Sequence, residues 1–148
     1  MKKQFIALVI GLVAVTTLNT SFAGDNQAKP SAEFFKQLNH ASFMPNLMKH
    51  IMHTKGSLKL SKEQINTLKE YKKTHSPQVH KMVETLIEVE KQAKQMALDN
   101  YPPEKVAGLA KMSLDIRSDI FHAKLKCRSF VKSVLSEEQY KKALTSYK

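Results

Sequence analysis

The chain has 148 residues, 24 Lys and Arg against 13 Asp and Glu, and a formal net charge of +11. A chain of this length forms one domain at most. Hydrophobic residues make up 42% of it and charged residues 25%, a composition that is typical of a folded chain rather than a disordered one. Four Gly and five Pro are too few for a sheet protein with many tight turns or for an enzyme built on a phosphate-binding loop, so the composition favours helices.

The first residues of the chain have the pattern of an export signal. Lys2 and Lys3 precede an apolar stretch over residues 5–15 and a small-x-small cleavage site that ends at Ala23. The apolar stretch is shorter than the roughly 20 residues of a membrane-spanning helix, and no stop-transfer pattern follows it, which disfavours an uncleaved anchor. We therefore expect residues 1–23 to be removed, leaving an exported protein of formal charge +9 with no membrane insertion.

The remaining chain is predicted to have a short leader and one helical domain. Residues 24–43 are expected to be a flexible leader with a short helix over residues 31–39, capped by Ser31. Helical spacing brings three apolar residues of this helix to one face: Phe34, Phe35 and Leu38. Residues 44–148 form the predicted helical-hairpin domain, which contains the single cysteine, Cys127, and so must fold without an internal disulfide.

The domain is expected to begin with a second short helix over residues 44–53. This helix would place Pro45 in its first turn and would end at Gly56. Its apolar residues form a double row at helical spacing: Leu47, Met48, Ile51 and Met52.

A Leu-Ser-x-Glu-Gln-apolar pattern occurs twice, at residues 60–65 and 135–140. Each copy predicts a capping box, in which the Ser hydroxyl accepts from the N3 amide and the N3 Gln side chain accepts from the Ser amide. Ile65 and Tyr140 would complete hydrophobic staples with the Leu residues. We expect the motif to fix where a helix starts and to carry no chemistry. The capping residues are Leu60, Ser61 and Gln64 in the first copy and Leu135, Ser136 and Gln139 in the second.

A long helix is predicted behind the first copy, over residues 62–99. Its inward positions follow an alternating three- and four-residue spacing that is typical of a coiled-coil seam. Lys72 and His75 interrupt this seam directly before Pro77, where the helix either kinks or restarts with Ser76 as a cap. The apolar seam residues are Ile65, Leu68, Val79, Met82, Leu86, Val89, Ala93 and Met96.

A second long helix is predicted over residues 104–134, after a short connection at residues 100–103. The same spacing recurs in this helix at Val106, Leu109, Ser113, Ile116, Ile120, Ala123, Cys127, Phe130 and Val134. Because the connection is short, the two helices are expected to pack antiparallel. The predicted fold is therefore all-α, a long antiparallel helical hairpin with short flanking helices.

The second long helix also has an apolar stripe opposite its seam, formed by Leu114, Phe121 and Leu125. A monomeric hairpin would leave this stripe exposed to water. We therefore expect a homodimer that buries the stripe. If the chain is a monomer, either a terminal helix would cover the stripe or the stripe would bind clients.

The twin motifs, one opening the first long helix and one just after the second, resemble the Spy/CpxP family of periplasmic stress proteins. The resemblance covers about residues 44–147, with Ser where the family motif usually has Thr and with Cys127 and few Arg as departures. It implies a cradle-shaped homodimer of helical hairpins in the periplasm. Such a protein would bind non-native envelope proteins without ATP, or act as an adaptor that feeds envelope-stress signalling through a sensor kinase or another regulatory partner.

Lysines on both long helices, Lys124 among them, are predicted to surround apolar side chains with positive charge. Long-range attraction would speed encounter with acidic client segments, and weak apolar contacts would hold them. The alternative is that these lysines only solvate exposed helix faces. Nucleic acid is disfavoured as a partner because the chain is exported and lacks an Arg-rich run or an aromatic stacking platform. The candidate client-binding residues are Lys69, Lys72, Lys73, Lys81, Leu114, Phe121 and Leu125.

The alternative function is that of a heavy-metal sensor or metal-binding protein of the same superfamily. His50 and His53 lie three residues apart on one short helix, and Cys127 could converge with them. Imidazole and sulfur ligands favour zinc, nickel or copper. The alternatives for these residues are a surface histidine pair and a buried thiol, because no closed ligand motif is present.

No enzyme is predicted. The sequence has no GxSxG elbow, Walker loop, dinucleotide fingerprint or apolar site with paired carboxylates, and Cys127 lacks a recognisable His and Asn framework. We therefore assign no catalytic residue and, outside the metal alternative, no cofactor.

Overall fold

The computed structural model describes residues 32–147, and within this range it contains five α-helices and no strand. The predicted export signal, its cleavage site and the Ser31 cap lie outside the described residues. The all-α prediction is confirmed. The helices are α1 (Ala32–Ala41), α2 (Leu47–Thr54), α3 (Lys62–Leu98), α4 (Pro103–Val134) and α5 (Glu137–Thr145).

The long helices α3 and α4 pack against each other as a hairpin, and their bounds differ by one residue from those predicted. Helix α3 continues through Pro77 as one element, so the predicted alternative of a restart at this position is wrong. Leu68 and Val83 are fully buried on either side of Pro77. This packing keeps both halves helical although proline removes one hydrogen bond of the helix.

A Schellman turn closes the hairpin. Asn100 has a positive φ of 57°, the Tyr101 amide donates to Met96 O at 3.0 Å, and the Asn100 amide donates to Ala97 O at 3.3 Å. Pro103 then begins α4, where its missing N–H costs no helical hydrogen bond. The hydrogen bonds of this turn and the proline at the start of α4 are local features, and together they direct α4 to run antiparallel to α3.

Helix α2 begins three residues later than predicted, so Pro45 precedes the helix instead of lying in its first turn. Proline disfavours helical backbone at the residue before it, which here is Met44. At the start of α2, the Asn46 side chain makes no capping bond; its backbone amide donates to the Tyr147 hydroxyl at 2.9 Å. The end of the chain thus anchors the start of α2.

The sequence predicts that Gly56 ends the second helix, but the backbone becomes left-handed only at Lys59. Lys59 has a positive φ of 52°, and the Leu60 amide donates to Lys55 O at 3.1 Å. Helix α2 itself ends at Thr54, and one further turn separates it from the left-handed residue. A lysine therefore occupies a backbone conformation that glycine adopts at lower cost.

Both predicted capping boxes are confirmed. Ser61 Oγ accepts from the Gln64 amide at 3.1 Å, and Gln64 Oε1 accepts from the Ser61 amide at 3.0 Å. Ser136 and Gln139 repeat this arrangement at 3.2 and 2.9 Å. Each box satisfies two of the amides that a helix start leaves without partners.

The two boxes are also bonded to each other, a contact that the capping motifs by themselves do not predict. Gln64 Nε2 donates to Gln139 Oε1 at 2.9 Å, and Gln139 Nε2 donates back to Gln64 Oε1 at 3.3 Å. Gln64 Nε2 also donates to Val134 O at 2.9 Å, at the end of α4. We call this pair the glutamine clasp; it joins the starts of α3 and α5 to the end of α4.

The hairpin carries two separate cores. The first lies beside the glutamine clasp, where α2 and α5 pack on α3 and α4 around Ile51, Leu68, Val131 and Tyr140. The second lies nearer the hairpin turn and includes Leu38, Val83, Leu86 and Ile120, with α1 packed on the two long helices.

A polar network ties α1 to the hairpin next to the second core. Glu90 Oε1 accepts from Ser113 Oγ at 2.8 Å and from the Arg117 guanidinium, while Arg117 Nη1 donates to His40 O at 2.8 Å. Ser113 is a buried seam position, so its hydroxyl needs this carboxylate. The network fixes the end of α1.

Candidate binding surfaces

A groove with a volume of about 610 Å³ lies between the two cores; we call it the central groove. It is bounded by α1, the start of α2 with the segment before it, the middle of α3 and the second half of α4. Its apolar lining includes Phe35, Leu38, Leu47, Met48, Val79 and Met82. A cavity of this volume lies in the range that binds small organic ligands.

The polar lining of the central groove is mostly basic. Within residues 32–147, four lysines and three histidines line the groove, and Asp119 is the one acidic lining residue. Lys49 Nζ lies 3.4 Å from the centroid of the Phe35 ring, in a cation–π contact at the edge of α1. The basic lining residues are Lys49, Lys72, Lys124, Lys126, His75, His80 and His122.

Lys124 is buried, with only 9% of its surface exposed, so the prediction that it belongs to the mobile surface charge is wrong. Its ammonium donates to Met44 O at 2.8 Å and to Ser42 O at 3.4 Å. Burial lowers the pKa of Lys124 to about 8. Lys124 is buried because the segment between α1 and α2 covers its side chain and supplies the carbonyl oxygens that accept from its ammonium.

Two rings that line the central groove, those of Tyr71 and His75, belong to a stack that continues to Phe130 outside the lining. Tyr71 lies between His75 and Phe130, with ring centroids 3.9 Å from each, and both stacks are nearly parallel. Cys127 packs against the first core, and burial raises its pKa although a hydrogen bond from the Met48 backbone lowers it. The thiol is therefore protonated at neutral pH and is a poor nucleophile.

A second, shallow apolar surface lies where the C-terminal end of α1 meets the middle of α4. Phe43 is 88% exposed and Leu114 is 66% exposed, and the Phe43 ring lies 5.5 Å from the Phe121 ring. We call Phe43, Leu114 and Phe121 the Phe43 patch. Phe121 and Leu125 are half-buried, so the predicted stripe is only partly open to water, and Leu125 does not line this surface.

The predicted client-binding lysines all lie on α3 and are exposed. Lys72 lines the central groove, whereas Lys69, Lys73 and Lys81 do not. Among the described residues, Lys111 is the one lysine within 4.0 Å of a carboxylate, that of Asp115. The positive charge of α3 is therefore not neutralised by neighbouring ion pairs.

The proposed metal ligands do not form a ligand group. His50 Nε2 lies 2.9 Å from Ser146 Oγ, and its ring contacts Tyr147, while His53 is exposed and Cys127 belongs to the first core. Across residues 32–147, no three His, Cys, Asp or Glu side chains lie close enough together to hold a metal ion.

Sequence reasoning missed the burial of Lys124 and the network around Glu90. A signal for Lys124 was present, because it lies four residues after Ile120 and seven before Val131, on the inward face of α4. No local pattern indicated that Arg117 would reach the end of α1, because their contact spans 77 residues.

None of the helices in residues 32–147 is long and apolar enough to cross a membrane. A scan against protein-family models, a search of curated proteins and a search of solved structures each found no match to this chain.

Proposed function

We propose that this protein is an ATP-independent chaperone or stress adaptor of the periplasm, which binds non-native proteins through a basic and partly apolar helical surface. The Phe43 patch carries this proposal. Large apolar side chains that remain exposed together in a folded chain mark interaction sites. A homodimer is part of the proposal, because a second copy would cover part of the same patch.

Positive charge would bring clients to this surface. The exposed lysines Lys69, Lys72 and Lys73 follow one another on α3 without carboxylate partners among the described residues. Their attraction for acidic segments acts over the Debye length, about 8 Å at physiological ionic strength. Shallow apolar contacts then hold a client weakly enough to release it without an energy source.

The apolar contribution is tested by suppression of aggregation of an unfolding client without ATP. Changing Phe43 and Leu114 to Ser together should reduce protection several-fold. Leu98→Ser is the matched control, because Leu98 is 70% exposed at the hairpin turn, away from the patch. Full protection by the double variant would contradict the assignment of this surface.

The electrostatic contribution is tested by charge reversal and by salt. Changing Lys69, Lys72 and Lys73 to Glu together should slow client association, and wild-type association should slow as salt rises while bound client stays held. A matched control reverses three exposed lysines nearer the hairpin turn: Lys91, Lys94 and Lys105. Equal effects of the two triple variants would show that net charge matters and position does not.

A titration of the reduced protein with zinc, nickel and copper tests the metal alternative. That alternative predicts stoichiometric binding that weakens on acidification and is lost in Cys127→Ser, without protection of a client. The chaperone proposal predicts protection that a chelator leaves unchanged.

A further inference from the structure

Lys124 is a buried cation that has no carboxylate partner among residues 32–147. Its ammonium has three N–H bonds, and residues 32–147 supply two acceptors, both backbone carbonyl oxygens. No carboxylate of the described residues lies within 4.0 Å of it. A buried ammonium is costly unless an anion compensates it, so this position is suited to an added negative charge.

The central groove, which Lys124 lines, supplies the environment that such an anion needs. Its basic residues outnumber Asp119, and they surround apolar walls contributed by both cores. Charge complementarity therefore favours a ligand with one negative end. The apolar lining, which includes Leu47, Met48 and Val79, favours an uncharged hydrocarbon body for the rest of the ligand.

The backbone of the groove argues against an extended peptide as the ligand. Most lining residues lie inside α1, α2, α3 and α4, where their backbone groups are already hydrogen-bonded within the helices. The Asn46 amide, outside the helices, is taken by Tyr147. An extended peptide would bury its own amides without partners, whereas an alkyl chain has no such groups.

We propose that the central groove binds a free long-chain monocarboxylate, with its carboxylate at the Lys124 ammonium and its alkyl chain along the apolar walls. This site is separate from the Phe43 patch, and it does not depend on the proposed chaperone function. An amphipathic helix of a partner protein and a membrane surface are the other occupants that the experiment distinguishes.

The ligand series tests the proposal with calorimetric titration of the wild-type protein, each ligand being kept below its micelle concentration. Saturable binding of dodecanoate is expected, tightening about fourfold for each added methylene from octanoate to dodecanoate. Dodecanol and dodecylammonium, which match its chain but lack the negative charge, should bind at least tenfold more weakly.

The protein variant tests the position of the carboxylate. Lys124→Met keeps an unbranched side chain one atom shorter than lysine and removes the charged amino group, and it should weaken dodecanoate binding about 10- to 100-fold with little effect on dodecanol. Lys132→Met is the matched control, because Lys132 is exposed on the same helix and does not line the groove. Thermal unfolding of both variants checks that they are folded.

Three results would overturn the proposal. One is equal affinity for dodecanoate and dodecanol, which needs no variant to interpret. Another is unchanged dodecanoate affinity in Lys124→Met. The third is binding only to micelles, to phosphatidylglycerol vesicles or to a helical peptide, with none to monomeric carboxylate.

Discussion

At the scale of single residues, Lys124 and Lys59 are in environments that their side chain or backbone does not favour. The Lys124 ammonium is buried, and its partners within the described part of the chain are backbone carbonyls; the Lys59 backbone is left-handed. Both environments lower the free energy of unfolding of the protein without ligand, so the effect of each can be measured by substituting the residue.

Lys124→Met should stabilise the protein below pH 8, because it removes a charge whose burial is unfavourable. The gain is at most about 3 kcal/mol, which is the lowering of the Lys124 pKa converted at 1.36 kcal/mol per pKa unit. The pKa of Lys124 is lowered from 10.5 to about 8, so the unfolded chain binds more protons between these values. Wild-type stability should therefore rise with pH from about 8 to 10.5, and the advantage of the variant should shrink there. Urea unfolding at pH 7 and pH 10 measures this; an advantage independent of pH would contradict it.

Lys59→Gly should stabilise the protein by up to about 1 kcal/mol, because glycine adopts a positive φ without a steric penalty. The matched control is Lys55→Gly in the same turn, where φ is −51° and glycine should destabilise the protein by adding unfolded-state freedom. Thermal unfolding compares the two variants. Equal shifts in Tm would show that the backbone conformation of Lys59 carries no cost.

At the scale of helices, polar contacts between distant segments determine how the short helices pack on the hairpin. The glutamine clasp joins α3 and α5, and the Glu90 network joins α1 to α3 and α4. Each joins elements that are far apart in sequence. Their loss should therefore affect tertiary stability more than helix content.

Gln64→Glu distinguishes the glutamine clasp from simple capping. Glutamate at N3 completes a capping box as well as glutamine does, so capping alone predicts no loss. The clasp needs the Nε2 donor to Gln139 and Val134, which a carboxylate lacks, so we expect a loss of about 1–2 kcal/mol. Urea unfolding measures it. A double-mutant cycle with Gln139→Glu should give a coupling of at least about 0.5 kcal/mol, and strict additivity would contradict the clasp.

Glu90→Gln should reveal an acid-sensitive contact. Burial raises the pKa of Glu90, but hydrogen bonds from Ser113 and Arg117 and the Arg117 charge lower it to a value below 4.5. The carboxylate therefore stabilises the fold above pH 4.5, and this contribution is lost as pH falls through its lowered pKa. We expect the variant to lose about 1 kcal/mol at pH 7, and the loss should shrink progressively as pH falls below 4.5. Urea unfolding over a series of pH values from 7 downwards checks this, with Glu88→Gln as an exposed control.

At the scale of the whole molecule, the hairpin leaves two surfaces of different character. The central groove is enclosed by four helices and is basic, whereas the Phe43 patch is shallow and apolar. The first suits a small anionic ligand and the second suits another protein surface. A chain with both could hold a ligand and a partner at the same time.

Phe121→Asp should shift the protein towards monomer in sedimentation at micromolar concentration, because it places a charge in the proposed dimer contact. Leu98→Asp is the control, since it adds the same charge at the hairpin turn. A wild-type protein that is already monomeric would contradict the dimer and leave the patch as a client surface.

The sequence alone determined where the two long helices begin and end, and that they run antiparallel. Capping boxes, the short connection before Pro103 and the spacing of apolar residues are local, so they predicted α3 and α4 within one residue. The start of α2 was predicted three residues too early: Pro45 disfavours a helical Met44, and Lys124 and Tyr147 hold the segment before α2 through contacts distant in sequence.

Only the tertiary structure decided which residues meet. Gln64 and Gln139 are 75 residues apart, and Lys124 meets Met44 across 80 residues, so no local pattern could pair them. The central groove exists because two cores form at different heights of one hairpin and leave a gap that α1 and α2 enclose. The periodic spacing of apolar residues determines which face of each helix points inward. The size and position of the groove between the packed helices depend on which side chains meet there.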